Sequence, residues 1–263
     1  MIGLSRADAD LRDAAAARRA VAAAAPHVVY HLAARAHVGD AWRDPGGTLQ
    51  DNLLLAFNVL EAVAGEAPGA VVVAAGSSEV YGPPERLPVT EDALLRPQNP
   101  YAVSKAAADL LGGFYADARR LRVVRARAFN HVGPGQDPSY AVASFAQQVA
   151  AGPVVVTGNP DTRRDYTDVR DVVRAYRLLA ERGLPGVFNV CSGRTASAAE
   201  LVAALGRIAG VELEHRVDAA LVRDHEVPEV RGSYDALRAA TGWAPEIRLE
   251  QTLADALADA RGR

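Results

Sequence analysis

Ala70-Val71-Val72-Val73-Ala74-Ala75 is six consecutive apolar residues built around three valines. A run that short and that β-branched predicts a strand buried on both faces. Upstream, Thr48–Glu66 carries Leu53, Phe57, Leu60 and Ala64 on one helical face, and Gly69 ends the helix before the strand begins. Downstream, Gly76-Ser77-Ser78-Glu79 opens a Pro-rich loop that reaches Pro100. His27–Leu32 (HVVYHL) and Leu121–Phe129 (LRVVRARAF) repeat the strand pattern, and a helix over Tyr101–Arg119 separates the last two runs. Strands alternating with helices predict a parallel sheet with helices on its faces. Ligands bind such sheets outside the carboxyl ends of the strands. The unusual residues fall there: Ala33-Ala34-Arg35, Gly76-Ser77-Ser78-Glu79 and Asn130-His131.

The remaining chain extends the pattern less regularly. Met1–Ser5 is expected to be the end of a strand, and Arg12–Ala25 an alanine-rich helix stopped by Pro26. Helices are expected over Ala141–Ala150, Val169–Glu181, Glu200–Ala209, Ser233–Ala240 and Leu249–Ala260. Short strands are expected at Val154–Thr157 and Gly186–Val190.

Of 29 basic side chains, 28 are arginine, and Lys105 is the single lysine. A compact ammonium retained in that background points to a place where a guanidinium will not serve. Tyr101 precedes it by four residues, so a helix puts both side chains on one face. A permanent cation beside a phenol lowers its pKa from about 10 by roughly 1–3 units, which makes Tyr101 a candidate acid. A chance pair on a solvated helix is the alternative.

The 263 residues are 49% hydrophobic, enough for a sizeable core. A net charge of −3 with interspersed signs predicts neither a nucleic-acid nor a membrane surface. One cysteine, Cys191, excludes a disulfide framework and fits a reducing cytoplasm. The histidines have no metal-ligand spacing, so no metal is expected.

Several motifs together resemble the extended short-chain dehydrogenase/reductase family of nucleotide-sugar epimerases, dehydratases and reductases. They are His31-Leu32-Ala33-Ala34, Ser77-Ser78-Glu79-Val80-Tyr81-Gly82, Asn99–Lys105, Phe129–Gln136 (FNHVGPGQ), Asp165–Tyr176 (DYTDVRDVVRAY) and Asn189–Arg194 (NVCSGR). The resemblance implies a Rossmann-like doubly wound parallel sheet with a small C-terminal substrate lobe. It divides the chain into residues 1–128 plus 166–192 for the dinucleotide and 129–165 plus 193–263 for the nucleotide-sugar. The implied activity is NAD(P)H-dependent reduction of a GDP-linked 4-keto-6-deoxyhexose, GDP-4-dehydro-6-deoxy-D-mannose to GDP-D-rhamnose. A GDP-mannose 4,6-dehydratase or a nucleotide-sugar 4-epimerase is the alternative on the same scaffold. The dehydratases follow Phe-Asn-His with Ser-Pro-Arg-Arg-Gly, which this chain lacks.

The resemblance implies Tyr101 as proton donor, Lys105 as its modulator and ribose contact, and Ser77 as a second hydrogen bond to the same substrate oxygen. A turn serine is the plain alternative for Ser77. Glu79 is either an acid–base group or structural. Cofactor contacts fall on Arg6, Asp10, Leu11, Leu32, Ala33, Ala34 and Arg35, although a helix N-cap explains Asp10 almost as well. Arg6, at the end of the expected first strand, suits the 2′-phosphate of NADPH, with NADH the alternative. Ser78, Asn130, Arg164 and Arg223 are the substrate candidates, the two arginines matching diphosphate oxygens. A homodimer is implied, through the Thr48–Glu66 and Tyr101–Arg119 helices.

The family opens with a strand and a Gly-x-x-Gly-x-x-Gly turn, and this sequence contains neither. The sheet is therefore expected to lack its first strand and helix. Two readings follow: Met1 is an internal codon of a longer gene, or the chain is a non-catalytic nucleotide-sugar-binding module. Losing two pyrophosphate bonds of about 1.5–3 kcal/mol each weakens cofactor binding roughly 10²–10⁴-fold.

Overall fold

The computed structural model describes residues 1–222 and 227–262. In chain order the elements are α1 (Ala14–Ala24), β1 (Val28–His31), α2 (Val38–Arg43), α3 (Pro45–Glu66), β2 (Val71–Ala75), a 3-10 turn (Ser78–Tyr81), α4 (Pro100–Ala118), β3 (Arg122–Ala128) and β4 (Asn130–Val132). There follow α5 (Ala141–Ala151), β5 (Val154–Thr157), β6 (Arg163–Asp168), α6 (Val169–Arg182), β7 (Gly186–Val190), β8 (Thr195–Ser197), α7 (Ala198–Ala209), β9 (Glu214–Val217), β10 (Glu229–Val230), α8 (Asp235–Thr241) and α9 (Leu249–Gly262). The chain divides into two compact units. One is Met1–Gly82 with Glu91–Ala128 and Tyr176–Asn189; the other is Pro83–Thr90 with Phe129–Ala175 and Val190–Arg263.

The first unit is built on the sheet β1-β2-β3-β7. β1 runs parallel to β2 with Val28 opposite Val71, and β2 parallel to β3 with Val71 opposite Arg122. Val71, Val72 and Val73 are buried, as a strand covered on both faces requires. Val59, Leu60 and Val63 of α3 and Tyr115 of α4 pack on Val72 and Val123. Each helix starts on its own capping chemistry. Asp13 Oδ1 accepts from Ala15 N at 2.8 Å, and Asp44 Oδ1 accepts from Gly47 N at 3.0 Å with Pro45 at the first helical position.

The expected strand at Met1–Ser5 does not form. Met1, Ile2 and Leu4 are exposed, and the segment pairs with no strand among the described residues. A strand without a ladder partner has no source of stability. Asp10 is not a helix cap either. It accepts from Arg12 N at 3.0 Å and from the Arg12 guanidinium, and the cap lies at Asp13. The residues after β1 lead into the short helix α2, capped at His37.

In the second unit β6 pairs with β4 and β10 in parallel and with β8 antiparallel. Its core gathers Phe145 and Val149 of α5, Leu201 and Leu205 of α7, and Leu253 and Leu257 of α9 around Val132 and Val155. Ser197 and Glu200 form a reciprocal capping box at the start of α7. Asp165, 1% exposed, sits in the middle of β6. Its carboxylate accepts from Ser192 N and Oγ, Gly193 N and Gly232 N at 2.7–3.2 Å. Three backbone amides that would otherwise be unsatisfied converge on one side chain.

Candidate active site

The Ser77, Tyr101 and Lys105 candidates lie in the first unit, Ser77 just beyond the carboxyl end of β2 and the other two on α4. Ser77 caps the 3-10 turn, its Oγ accepting from Glu79 N at 3.2 Å. A hydroxyl accepts through a lone pair, so its own hydrogen can be given to a ligand. Gly82 ends that turn at φ 61°, and a Cβ there would meet the Arg96 carbonyl oxygen at 2.0 Å. Only glycine fits both constraints.

The turn packs against α4. Asn99 caps this helix, its Oδ1 accepting from Ala102 N at 2.8 Å, and Pro100 fills the first position. The other end of the same amide donates to Glu79 Oε2 at 3.0 Å. Glu79 is exposed, so its carboxylate both anchors the helix start and meets solvent. Tyr101 is 9% exposed, in the first turn. One turn on, Lys105 Nζ donates to the carbonyl of Ala75 at 2.7 Å, at the end of β2. Burial pushes the Lys105 pKa down to about 8.

His31, at the end of β1, is pushed down to about 4, first by burial and then by the Lys105 charge, so it is neutral at pH 7. Both line a cavity of about 30 Å³ with Ala33, Ala34, Ala75 and Gly76. Small residues at these strand ends let a ligand approach the backbone closely. Packing at Gly76 is tight as well, since a Cβ would lie 3.0 Å from the Ala126 oxygen.

The other candidates are scattered. Leu32 is 61% exposed. Arg35 reaches Asp44 at 2.7 Å and Asp51 at 3.8 Å, so its guanidinium is already engaged. Arg6 has a 76% exposed side chain, with Asp10 at 3.9 Å. The carbonyl of Leu11 accepts from Asn58 Nδ2 at 2.8 Å, which pins this segment to α3. Ser78 is buried within the turn. In the second unit Asn130 is exposed on β4, and Arg164 donates from Nη1 to the carbonyls of Arg163 and Val227. Arg223 lies outside the described residues.

Asn52 is a residue the sequence reading passed over. It is 3% exposed. Its Oδ1 accepts from Arg35 N at 2.7 Å, and its Nδ2 donates to the Arg35 carbonyl and to Ser104 Oγ at 2.8 Å. Ser104 Oγ donates in turn to the Tyr101 carbonyl at 2.7 Å. One buried amide thus joins the loop after β1 to the first turn of α4. The only advance signal was a polar residue inside an otherwise apolar helix face.

The model of the GDP-mannose 4,6 dehydratase family matches residues 4–256. The chain belongs to that family. Within the family it is 41% identical over 247 residues to GDP-6-deoxy-D-mannose reductase of Pseudomonas aeruginosa, covering 90% of this chain and 81% of that one. A solved structure of RMD from Pseudomonas aeruginosa complexed with NADPH superposes with a TM-score of 0.90 at 39% identity, over 96% of this chain and 86% of the other. UDP-glucose 4-epimerase of Thermus thermophilus, solved with NAD, matches at 0.86 and 32%, over 96% and 83%. The family's members are NAD(P)-dependent nucleotide-sugar oxidoreductases, dehydratases and epimerases on a Rossmann-type α/β fold, and the parallel sheet here is of that type. No cluster of His, Cys, Asp or Glu suited to a metal ion, and no helix long and apolar enough to cross a membrane, occurs among the described residues.

Proposed function

We propose that the chain reduces a GDP-linked 4-keto-6-deoxyhexose at C4, converting GDP-4-dehydro-6-deoxy-D-mannose to GDP-D-rhamnose, with NADPH as reductant and NADH as the alternative. The observation that supports this most is the placement of Lys105. The single lysine of the chain puts its ammonium at a strand end, one turn from Tyr101, in a chain 41% identical to a reductase of that class.

Bound NADPH supplies the hydride to C4. Tyr101 gives its phenolic proton to the carbonyl oxygen as that oxygen gains charge, which leaves a C4 hydroxyl and a phenolate. Lys105 stabilises the phenolate. Ser77 Oγ donates a hydrogen bond to the same oxygen. Ala33 and Ala34, with no bulk beyond Cβ, leave room for the dinucleotide, with Leu32 and Arg35 beside them. Arg6 would hold the 2′-phosphate, and Asp10 and Leu11 the adenine. We assign the dinucleotide to residues 1–128 plus 166–192 and the nucleotide-sugar to 129–165 plus 193–263, through Ser78, Asn130, Arg164 and Arg223. Glu79, bonded to Asn99, holds the start of α4 rather than acting as a base.

The test is NADPH consumption with the 4-keto sugar and identification of GDP-D-rhamnose as product. Release of a 4-keto product from GDP-mannose without added reductant assigns the dehydratase instead. Calorimetric binding of a GDP-sugar with no binding of NADPH assigns the non-catalytic module.

The same reading includes a homodimer. Leu49, Leu53 and Phe57 on α3 and Val103, Leu110 and Phe114 on α4 are 36–63% exposed, and the two helices pack side by side. Apolar stripes of that kind mark an interface. Sedimentation at twice the chain mass is expected, and a Phe114→Glu variant is expected to sediment as a monomer.

A further inference from the structure

Beneath the Tyr101 helix lies a polar cluster that the steps above do not use. Asp109 stands one helical turn beyond Lys105 and two beyond Tyr101, on the same face of α4. Its side chain is 1% exposed and is shared by two arginines of β3. Arg127 grips it twice, Nε to Oδ2 and Nη2 to Oδ1, each at 2.9 Å, and Arg125 adds a bond of 3.2 Å. A Cβ on Gly112 or Gly113 would stand 3.3 or 3.0 Å from the Arg125 side chain, so α4 carries two glycines where Arg125 needs room.

Arg127 reaches further. Its Nη1 donates to Tyr81 Oη at 3.0 Å and to the Glu91 carbonyl at 3.1 Å, and its guanidinium carbon lies 5.0 Å from the Tyr81 ring centre. Tyr81 Oη donates to Asn189 Oδ1 at 2.6 Å, and Glu91 Oε1 accepts from Asn189 N at 2.7 Å. Every member of the group lies in the first unit.

A buried ion pair is a poor way to fill a core, because its desolvation offsets most of its attraction. What a bidentate fork supplies is geometry: it sets distance and orientation together, which a lysine does not. The two ends of this fork's network lie on the elements that carry the reactive groups. Asp109 belongs to α4 with Tyr101 and Lys105, and Tyr81 closes the turn that Ser77 opens. The Asn99–Glu79 bond ties the same two elements at a second point. Two ties at separate points remove the freedom of the turn to pivot against the helix.

We propose that Arg127, Asp109 and Tyr81 are positioning residues, holding Ser77 in register with the Tyr101 phenol for proton transfer. The proposal rests on the oxidoreductase reading. Tyr81→Phe keeps the ring over Arg127 and removes only the hydroxyl. It is expected to lower kcat about 10-fold with the KM values for NADPH and the keto sugar unchanged within about twofold, since a misplacement of an ångström can cost up to about 10²-fold. Arg127→Lys keeps the charge and loses the fork; its kcat is expected to fall further, by about 30-fold. In Arg127→Ala, guanidinium ion at non-denaturing concentration is expected to restore part of kcat. A purely structural role predicts a lower melting temperature with wild-type kcat in the folded fraction of both Tyr81→Phe and Arg127→Lys, and that result overturns the proposal. Variant and wild type are compared on whichever GDP-sugar the wild type turns over. Failure of the reductase assignment is then seen in the wild type, and failure of the positioning role in the ratio.

Discussion

Tyr101→Phe is expected to abolish measurable reduction, lowering kcat about 10²–10⁴-fold, the range that general acid catalysis supplies. The change removes one oxygen from a side chain that is only 9% exposed, so the ring keeps its packing. The backbone carbonyl of residue 101 still accepts from Ser104 Oγ, and Asn99 still caps the helix. NADPH binding, read by fluorescence titration, is therefore expected to stay within a few-fold of wild type. A variant that retains more than about a tenth of wild-type kcat would show that the proton comes from another group.

Lys105→Met is expected to separate activity from stability. Burial holds the Lys105 pKa near 8 against an ordinary 10.5. At 1.36 kcal/mol per pH unit, that displacement corresponds to a penalty of roughly 3–4 kcal/mol on the folded state. The sign follows from proton counting. Between pH 8 and about 10.5 the unfolded chain holds the proton more tightly, so the native state gains stability as pH rises through that window. Below pH 8 the penalty is present in full. The methionine variant is thus expected to unfold at higher denaturant concentration than wild type at pH 7, and the difference is expected to vanish by about pH 10.5. Turnover is expected to fall about 10²-fold, because the phenolate loses its cation. Lys105→Arg is expected to lose turnover as well. A planar fork does not reproduce a single 2.7 Å bond to the Ala75 carbonyl from a half-buried site. A lowered midpoint in Lys105→Met at pH 7 would refute the buried-cation account. In the wild type, activity is expected to decline as pH rises past about 8 and the ammonium discharges.

The sheet was legible because β1, β2 and β3 are short runs, each built around consecutive valines. Val28–His31, Val71–Ala75 and Arg122–Ala128 all lie within stretches that read as strands. The placement of Lys105 was legible from its rarity and from the four-residue spacing to Tyr101. The same spacing continues to Asp109 and was passed over, because an acidic residue on a helix reads as a solvated one. Its burial depends on Arg127, 18 residues on, and on Tyr81 and Asn189, which are 108 residues apart in sequence. Periodicity carries no information about pairs at that distance. Met1–Ser5 failed as a strand for a related reason: apolar composition allows an extended segment, but pairing makes it a strand. Asp10 failed as a cap because Arg12 competes for its carboxylate, leaving Asp13 to start α1.

Asn99 has a consequence for which sequences this fold tolerates. Ser, Thr, Asp and Asn ordinarily substitute for one another at a helix start, since each offers an oxygen to the exposed amides. Position 99 needs an acceptor for Ala102 N and a donor for Glu79 within the same side chain. Aspartate would set two carboxylates against each other, and serine is too short to span both partners. The usual four-letter choice at a helix cap contracts here to one letter, and residues 79 and 99 are bound to vary together or not at all.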